Sequence, residues 1–129
     1  MKINVVSKIQ TDKAPLPNGH YAQATLCNGL IYTATQIGID PKTNDMPSDL
    51  KSQTLNILNS IKVILEEAGS SLNKIMRITI YVQDISLWEE INTHYTNFMK
   101  DAKPARGVIP LNSKLHKGAQ VAMEAIAVT

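Results

Sequence analysis

Apolar side chains between positions 57 and 68 recur every third or fourth residue: Ile57, Leu58, Ile61, Ile64, Leu65 and Ala68. That spacing predicts an amphipathic helix with one stripe turned to an apolar surface. Ser48 or Asp49 can cap its start, and Gly69 stands where a left-handed residue would end it. A second stripe, Trp88, Ile91, Tyr95 and Phe98, follows Ser86-Leu87-Trp88-Glu89, a match to the capping box. Asn92 and Met99 lie beside that stripe, and the helix must end before Pro104. Between the two helices the period changes to two. Ile78, Ile80 and Val82 alternate with Arg77, Thr79 and Tyr81, so residues 75–82 form a strand with one apolar and one more polar face.

The remaining strands follow from turn chemistry. The β-prone runs 21–26 and 30–37 flank Asn28-Gly29, the strongest short-range hairpin signal in the chain. Residues 2–6 can pair as a short edge strand, whereas 14–19 and 40–45 are loops by their proline, glycine and polar content. Pro104 favours extended backbone, which places Arg106 at the start of a strand. Residues 121–128 are small and apolar except Glu124, as expected of a strand covered on both faces. The order predicts an α+β fold, a mixed sheet of five or six strands with two helices on one face. The other face needs a cover, which partner subunits can supply.

Composition narrows the function classes. A chain of 129 residues is one domain's worth, 1–129, and 43% hydrophobic with 19% charged residues fits a soluble globular protein. The net charge is +2 and the basic residues are scattered, which argues against nucleic acid as the primary partner. No apolar run approaches the roughly 20 residues of a membrane helix, and residues 1–7 are too short and mixed for a signal peptide. Cys27 is the only cysteine, so an internal disulfide is excluded and a reducing cytoplasm is expected. Cys27 itself reads as a buried or half-buried strand residue rather than a nucleophile.

Arg106 is the residue that draws attention as chemistry. Its guanidinium can present a rigid fork of donors to a carboxylate, or it can form a structural ion pair with Glu124 or Asp40. His20 adjoins Tyr21 and is either a pocket-rim imidazole or a solvated loop histidine. His94 and His116 make no metal-ligand spacing, and Trp88 and Tyr95 read as core.

Several pieces then fall in one order: Tyr21-Ala22-Gln23-Ala24, Ile31-Tyr32-Thr33-Ala34-Thr35-Gln36-Ile37, Asp40-Pro41-Lys42-Thr43, Leu65 to Leu72, Pro104-Ala105-Arg106 and Glu124 to Val128. Together they resemble the RidA/YjgF family of reactive intermediate deaminases over nearly the whole chain. The resemblance implies a chorismate-mutase-like fold, a homotrimer and ligand sites in clefts between subunits. It implies hydrolysis of 2-imino acids or their enamine tautomers, products of pyridoxal-phosphate enzymes, to 2-keto acids and ammonia. No metal or organic cofactor is implied, and the partner is a small carboxylate substrate. Carried over residue by residue, Arg106 grips the substrate carboxylate and Tyr21 lines the pocket. Asn92 lies near the entrance, and the backbone at Thr35 and Val108 offers hydrogen bonds.

The chain also departs from the family pattern. Ala34 stands where many members carry serine, Thr35 where they carry glycine, and Val108 where cysteine is frequent. Ala122 stands where a glutamate serves to orient the hydrolytic water. Glu124 shares a sheet face with position 122, one repeat away, and is a partial substitute. These departures leave a second reading open, a non-catalytic trimeric binder of small carboxylates. A third, ribonuclease or translation inhibition, has been attached to relatives and is the least supported by the charge and the lack of a base-stacking platform.

Overall fold

The computed structural model describes residues 4–129. The chain forms β1 (Ser7–Ile9), β2 (Ala24–Cys27), β3 (Leu30–Thr33), β4 (Gln36–Ile37), α1 (Leu50–Glu67), β5 (Ile75–Val82), α2 (Trp88–Met99), β6 (Ala105–Pro110) and β7 (Val121–Val128). One mixed sheet runs in the order β1-β2-β3-β7-β5-β6, with β4 also paired to β7. All pairings are antiparallel except β5 with β6.

The hairpin forms because Asn28 and Gly29 both adopt positive φ, 50° and 81°, as a tight two-residue turn requires. Helix α1 starts where Asp49 accepts a hydrogen bond from the Ser52 amide at 2.9 Å. The Ser52 hydroxyl first, and this amide next, hold the Asp49 carboxyl below the usual carboxylate range. The helix ends on Gly69 at φ 82°, with Gly69 N–H donating to the Glu66 carbonyl and Ser70 N–H to that of Leu65. Its predicted stripe is the centre of the core: Ile57, Leu58, Ile61, Ile64 and Leu65 are all buried against β7, β4 and β3. Helix α2 lies beside α1 and adds Ile91, Tyr95 and Met99 to the same core. Facing them are Ile78, Ile80 and Val82 of β5 and Val121, Met123, Ala125 and Ala127 of β7.

Several sequence expectations change in detail. The edge strand is Ser7–Ile9; residues 4–6 are not strand, and residues 2 and 3 of the expected 2–6 strand lie outside the described residues. The expected 21–26 strand begins only at Ala24, because Tyr21 sits in a bend closed on Gly19. The capping box at Ser86 does not form. Instead Asp84 accepts from the Ser86 amide at 2.8 Å and caps a single 3₁₀ turn that leads into α2 at Trp88. Met99 belongs to the buried stripe, while Trp88 and Phe98 are only half-buried. Ile75 is buried out of phase with Ile78 because a bulge at Met76 resets the register between Ile75 and Arg77.

The expected 30–37 strand breaks in two. Three residues, Thr33 to Thr35, stand opposite two of β7, between the Tyr32–Ile126 and Gln36–Met123 pairs. This bulge would strand the Ala125 amide, and the Thr33 hydroxyl accepts its hydrogen bond at 2.9 Å. Strand β7 is packed by helices on one side only. On its other face Glu124, Ile126 and Val128 are half-buried, and around them Tyr32, Ile109 and Leu111 are 51%, 41% and 42% exposed. Among the described residues no helix is long and apolar enough to cross a membrane.

Candidate functional site

Two groups of chemistry-bearing side chains emerge from this frame. The first is built at the β6 edge. Arg106 pairs in register with Ile78, which turns its side chain toward the helix layer beside α2. There its guanidinium carbon lies 4.9 Å from the Trp88 ring centroid and 5.0 Å from that of Tyr95. Its Nη1 donates to Asn92 Oδ1 at 2.9 Å. Trp88, Asn92 and Tyr95 are spaced four and three residues apart, so one α2 stripe provides both rings and the amide. Stacking restrains the planar head while leaving most of its donors outward.

Neither ion pair open to Arg106 in the sequence is formed: Glu124 accepts from Thr35, and Asp40 accepts from the Lys42 amide. Among the described residues the one acid–base contact is His94 with Glu90, at 3.2 Å. Tyr95 feels Arg106 as well. Burial pushes its phenol above the ordinary tyrosine value, and the adjacent guanidinium charge opposes that rise.

The second group lines a cleft of about 510 Å³ on the side of β4. Gln23, almost fully buried, fastens its outer wall. Its Oε1 accepts from the Thr11 amide at 2.7 Å, and its Nε2 donates to the carbonyls of Thr11 and Pro15 at 3.0 and 2.8 Å. The wall so held brings Leu16 and Tyr21 over the bulge residues Ala34 and Thr35. Tyr21 donates its hydroxyl to Asn18 Oδ1 at 3.2 Å and stays about half exposed. Ala122 and Tyr81, direct partners across β7 and β5, also line the cleft. Thr35 donates its hydroxyl to Glu124 Oε1 at 2.6 Å.

Of the residues singled out in the sequence, the fold brings Tyr21 and Thr35 to one cleft and Arg106 and Asn92 to one sheet edge. Within a single chain the two groups do not share a cavity. Val108 sits beside Arg106 on β6, packed against the core, and His20 is an exposed neighbour of Tyr21 that does not line the cleft. Tyr95 is core and Trp88 packs against it, as the stripe predicted. That both rings also flank Arg106 was not read from the sequence; their spacing around Asn92 was the available signal. Tyr81 was legible only as one of the polar-face residues of β5. Among the described residues no three His, Cys, Asp or Glu side chains gather within reach of one metal ion.

Comparisons with known proteins agree with this architecture. A family model described as endoribonuclease L-PSP matches residues 11–129. A RutC family protein of Pyrococcus abyssi is 42% identical over 120 residues, 92% of this chain and 94% of that one. The 2-iminobutanoate/2-iminopropanoate deaminase of Escherichia coli K12 is 32% identical over 123 residues, 93% of this chain and 95% of that one. Among solved structures, RidA from the Antarctic bacterium Psychrobacter sp. PAMC 21119 matches with a TM-score of 0.91 and 32% identity, covering 95% of this chain and 99% of that one.

Proposed function

The chain belongs to the endoribonuclease L-PSP family, the RidA/YjgF proteins, and on that premise we propose that it hydrolyses reactive 2-imino acids and their enamine tautomers to 2-keto acids and ammonia. The observation that carries this reading is Arg106, braced by Trp88, Tyr95 and Asn92 and paired with no carboxylate among the described residues. A 2-imino acid sets a carboxylate directly beside its electrophilic carbon. A guanidinium that grips both oxygens therefore fixes where that carbon sits and which way it faces.

The chain works as a homotrimer, with Arg106 of one subunit closing the Tyr21–Thr35 cleft of the next. Two features support this: the two groups lie apart within one chain, and the sheet face away from the helices exposes Tyr32, Ile109 and Leu111. Asn92 stands at the mouth of the shared cleft, with backbone groups of Thr35 and Val108 beside the substrate. The lone cysteine fits work in the cytoplasm. Added to a pyridoxal-phosphate dehydratase releasing its imine, the pure protein is expected to accelerate 2-keto acid formation. No acceleration over buffer would refute the reading for those substrates.

One feature favours a second reading, a trimeric small-carboxylate binder without turnover. Among the described residues no carboxylate side chain lines the cleft, and Ala34 and Ala122 are part of its lining. Such a protein would bind 2-ketobutyrate yet leave the imine's decay unchanged.

A further inference from the structure

Hydrolysis of an imine needs an acceptor for the proton that leaves the attacking water. Among the described residues lining the cleft, those with an ionisable side chain are Tyr21, Tyr81 and His116. Tyr21 is at the mouth, its hydroxyl given to Asn18. His116 lies in the one-turn 3₁₀ segment at the rim. Tyr81 alone rises from the sheet, opposite Ala122, whose methyl group leaves space beside the ring.

Behind Tyr81 stands a carboxylate. Glu124 is opposite Thr79 in the same ladder, one residue pair along the same face, and Thr35 holds its Oε1 at 2.6 Å. Burial first, and the neighbouring Glu124 charge next, push the Tyr81 phenol above the ordinary tyrosine value; Arg77 on the same strand opposes them. The guanidinium of Arg77 is itself seated over Gly107, where any Cβ would meet it at 2.6 Å. The phenol therefore stays protonated at neutral pH. It can donate to Glu124 while its oxygen accepts from a water in the cleft.

The geometry points to Tyr81 as the group that holds the hydrolytic water, with Glu124 as the proton acceptor behind it and Thr35 as the residue that positions Glu124. This rests on the imine-hydrolase reading. As the water oxygen bonds to C2 of the iminium, the C=N π pair moves to nitrogen. The water proton passes to the phenol oxygen while the phenol proton passes to Glu124. The same path returns that proton to nitrogen, the C–N bond breaks with its pair leaving on nitrogen, and C=O forms. The remaining hydroxyl proton goes to the ammonia, which departs as ammonium. The relay places the acceptor one repeat along β7 from position 122, through a phenol that an alanine there leaves accessible.

The test compares kcat and KM for imine hydrolysis in the natural protein, Tyr81→Phe, Glu124→Gln, Thr35→Val and Tyr81→Phe with Ala122→Glu. Tyr81→Phe and Glu124→Gln are expected to lower kcat by at least about tenfold. KM and the affinity for 2-ketobutyrate should stay unchanged, because Arg106 makes that contact. Thr35→Val, exposed and nearly isosteric, should lower kcat less and shift the pH profile. Ala122→Glu should restore turnover to Tyr81→Phe by returning a direct acceptor. If the natural protein accelerates hydrolysis and Tyr81→Phe matches it, the relay is wrong and the hydrolase reading stands. If the natural protein does not accelerate hydrolysis, both fall.

Discussion

Replacing Arg106 with alanine is expected to weaken binding of 2-ketobutyrate by about 10–100-fold, since a charge-assisted Arg–carboxylate contact contributes about 1.5–3 kcal/mol. Arg106 is exposed, and among the described residues its side-chain hydrogen bond goes to Asn92, so the fold should survive the change. Calorimetric titration beside a circular dichroism spectrum separates lost affinity from lost structure. Arg106→Lys keeps the charge and discards the planar fork, and with it the stacking between Trp88 and Tyr95. Its affinity should therefore fall between the two. An unchanged dissociation constant in Arg106→Ala would place the carboxylate elsewhere.

The largest expected effect on stability belongs to Gly38, just after β4. A Cβ at this position would lie 2.5 Å from Gln53 Cα, 2.8 Å from its Cβ and 2.9 Å from its carbonyl oxygen. Those atoms belong to the first turns of α1 and cannot move alone. Gln53 is buried and braced from both sides: its Nε2 donates to the Pro47 carbonyl and its Oε1 accepts from the Gln120 amide. Gly38→Ala must push the helix off the sheet or distort β4. Overpacking of this kind costs about 1–3 kcal/mol, which for a chain of this size lowers Tm by about 5–15 °C. Ile37 and Ile39 flank the position and line the cleft, so ligand affinity should fall with it. A melting curve that coincides with that of the natural protein would mean that the close approach is not needed.

What the sequence made legible depended on how local the cause was. The α1 stripe, the Gly69 terminus, the Asn28-Gly29 turn and the alternation of β5 each follow from residues within a few positions, and each appears as expected. The bulge at Thr33–Thr35 does not, because its extra residue is defined only against β7, about ninety residues away. The same limit applies to the site. Arg106 stood out by its chemistry, but its aromatic braces come from another element and were indistinguishable from core residues in a stripe. Tyr81 became visible only once β5 and β7 were in register and Ala122 was seen to face it.

The shared cleft is tested most directly by mixing two disabled subunits. Arg106→Ala removes the anchor, and Thr35→Glu puts a carboxylate at an exposed cleft position where the substrate anion must enter. Each alone should be nearly inactive toward the imine. Unfolded together and reassembled into the proposed trimer, they should give some clefts that combine an intact Arg106 with an intact Thr35, and hydrolysis should return. A reassembled mixture no faster than the two variants measured separately would contradict a cleft built by two chains.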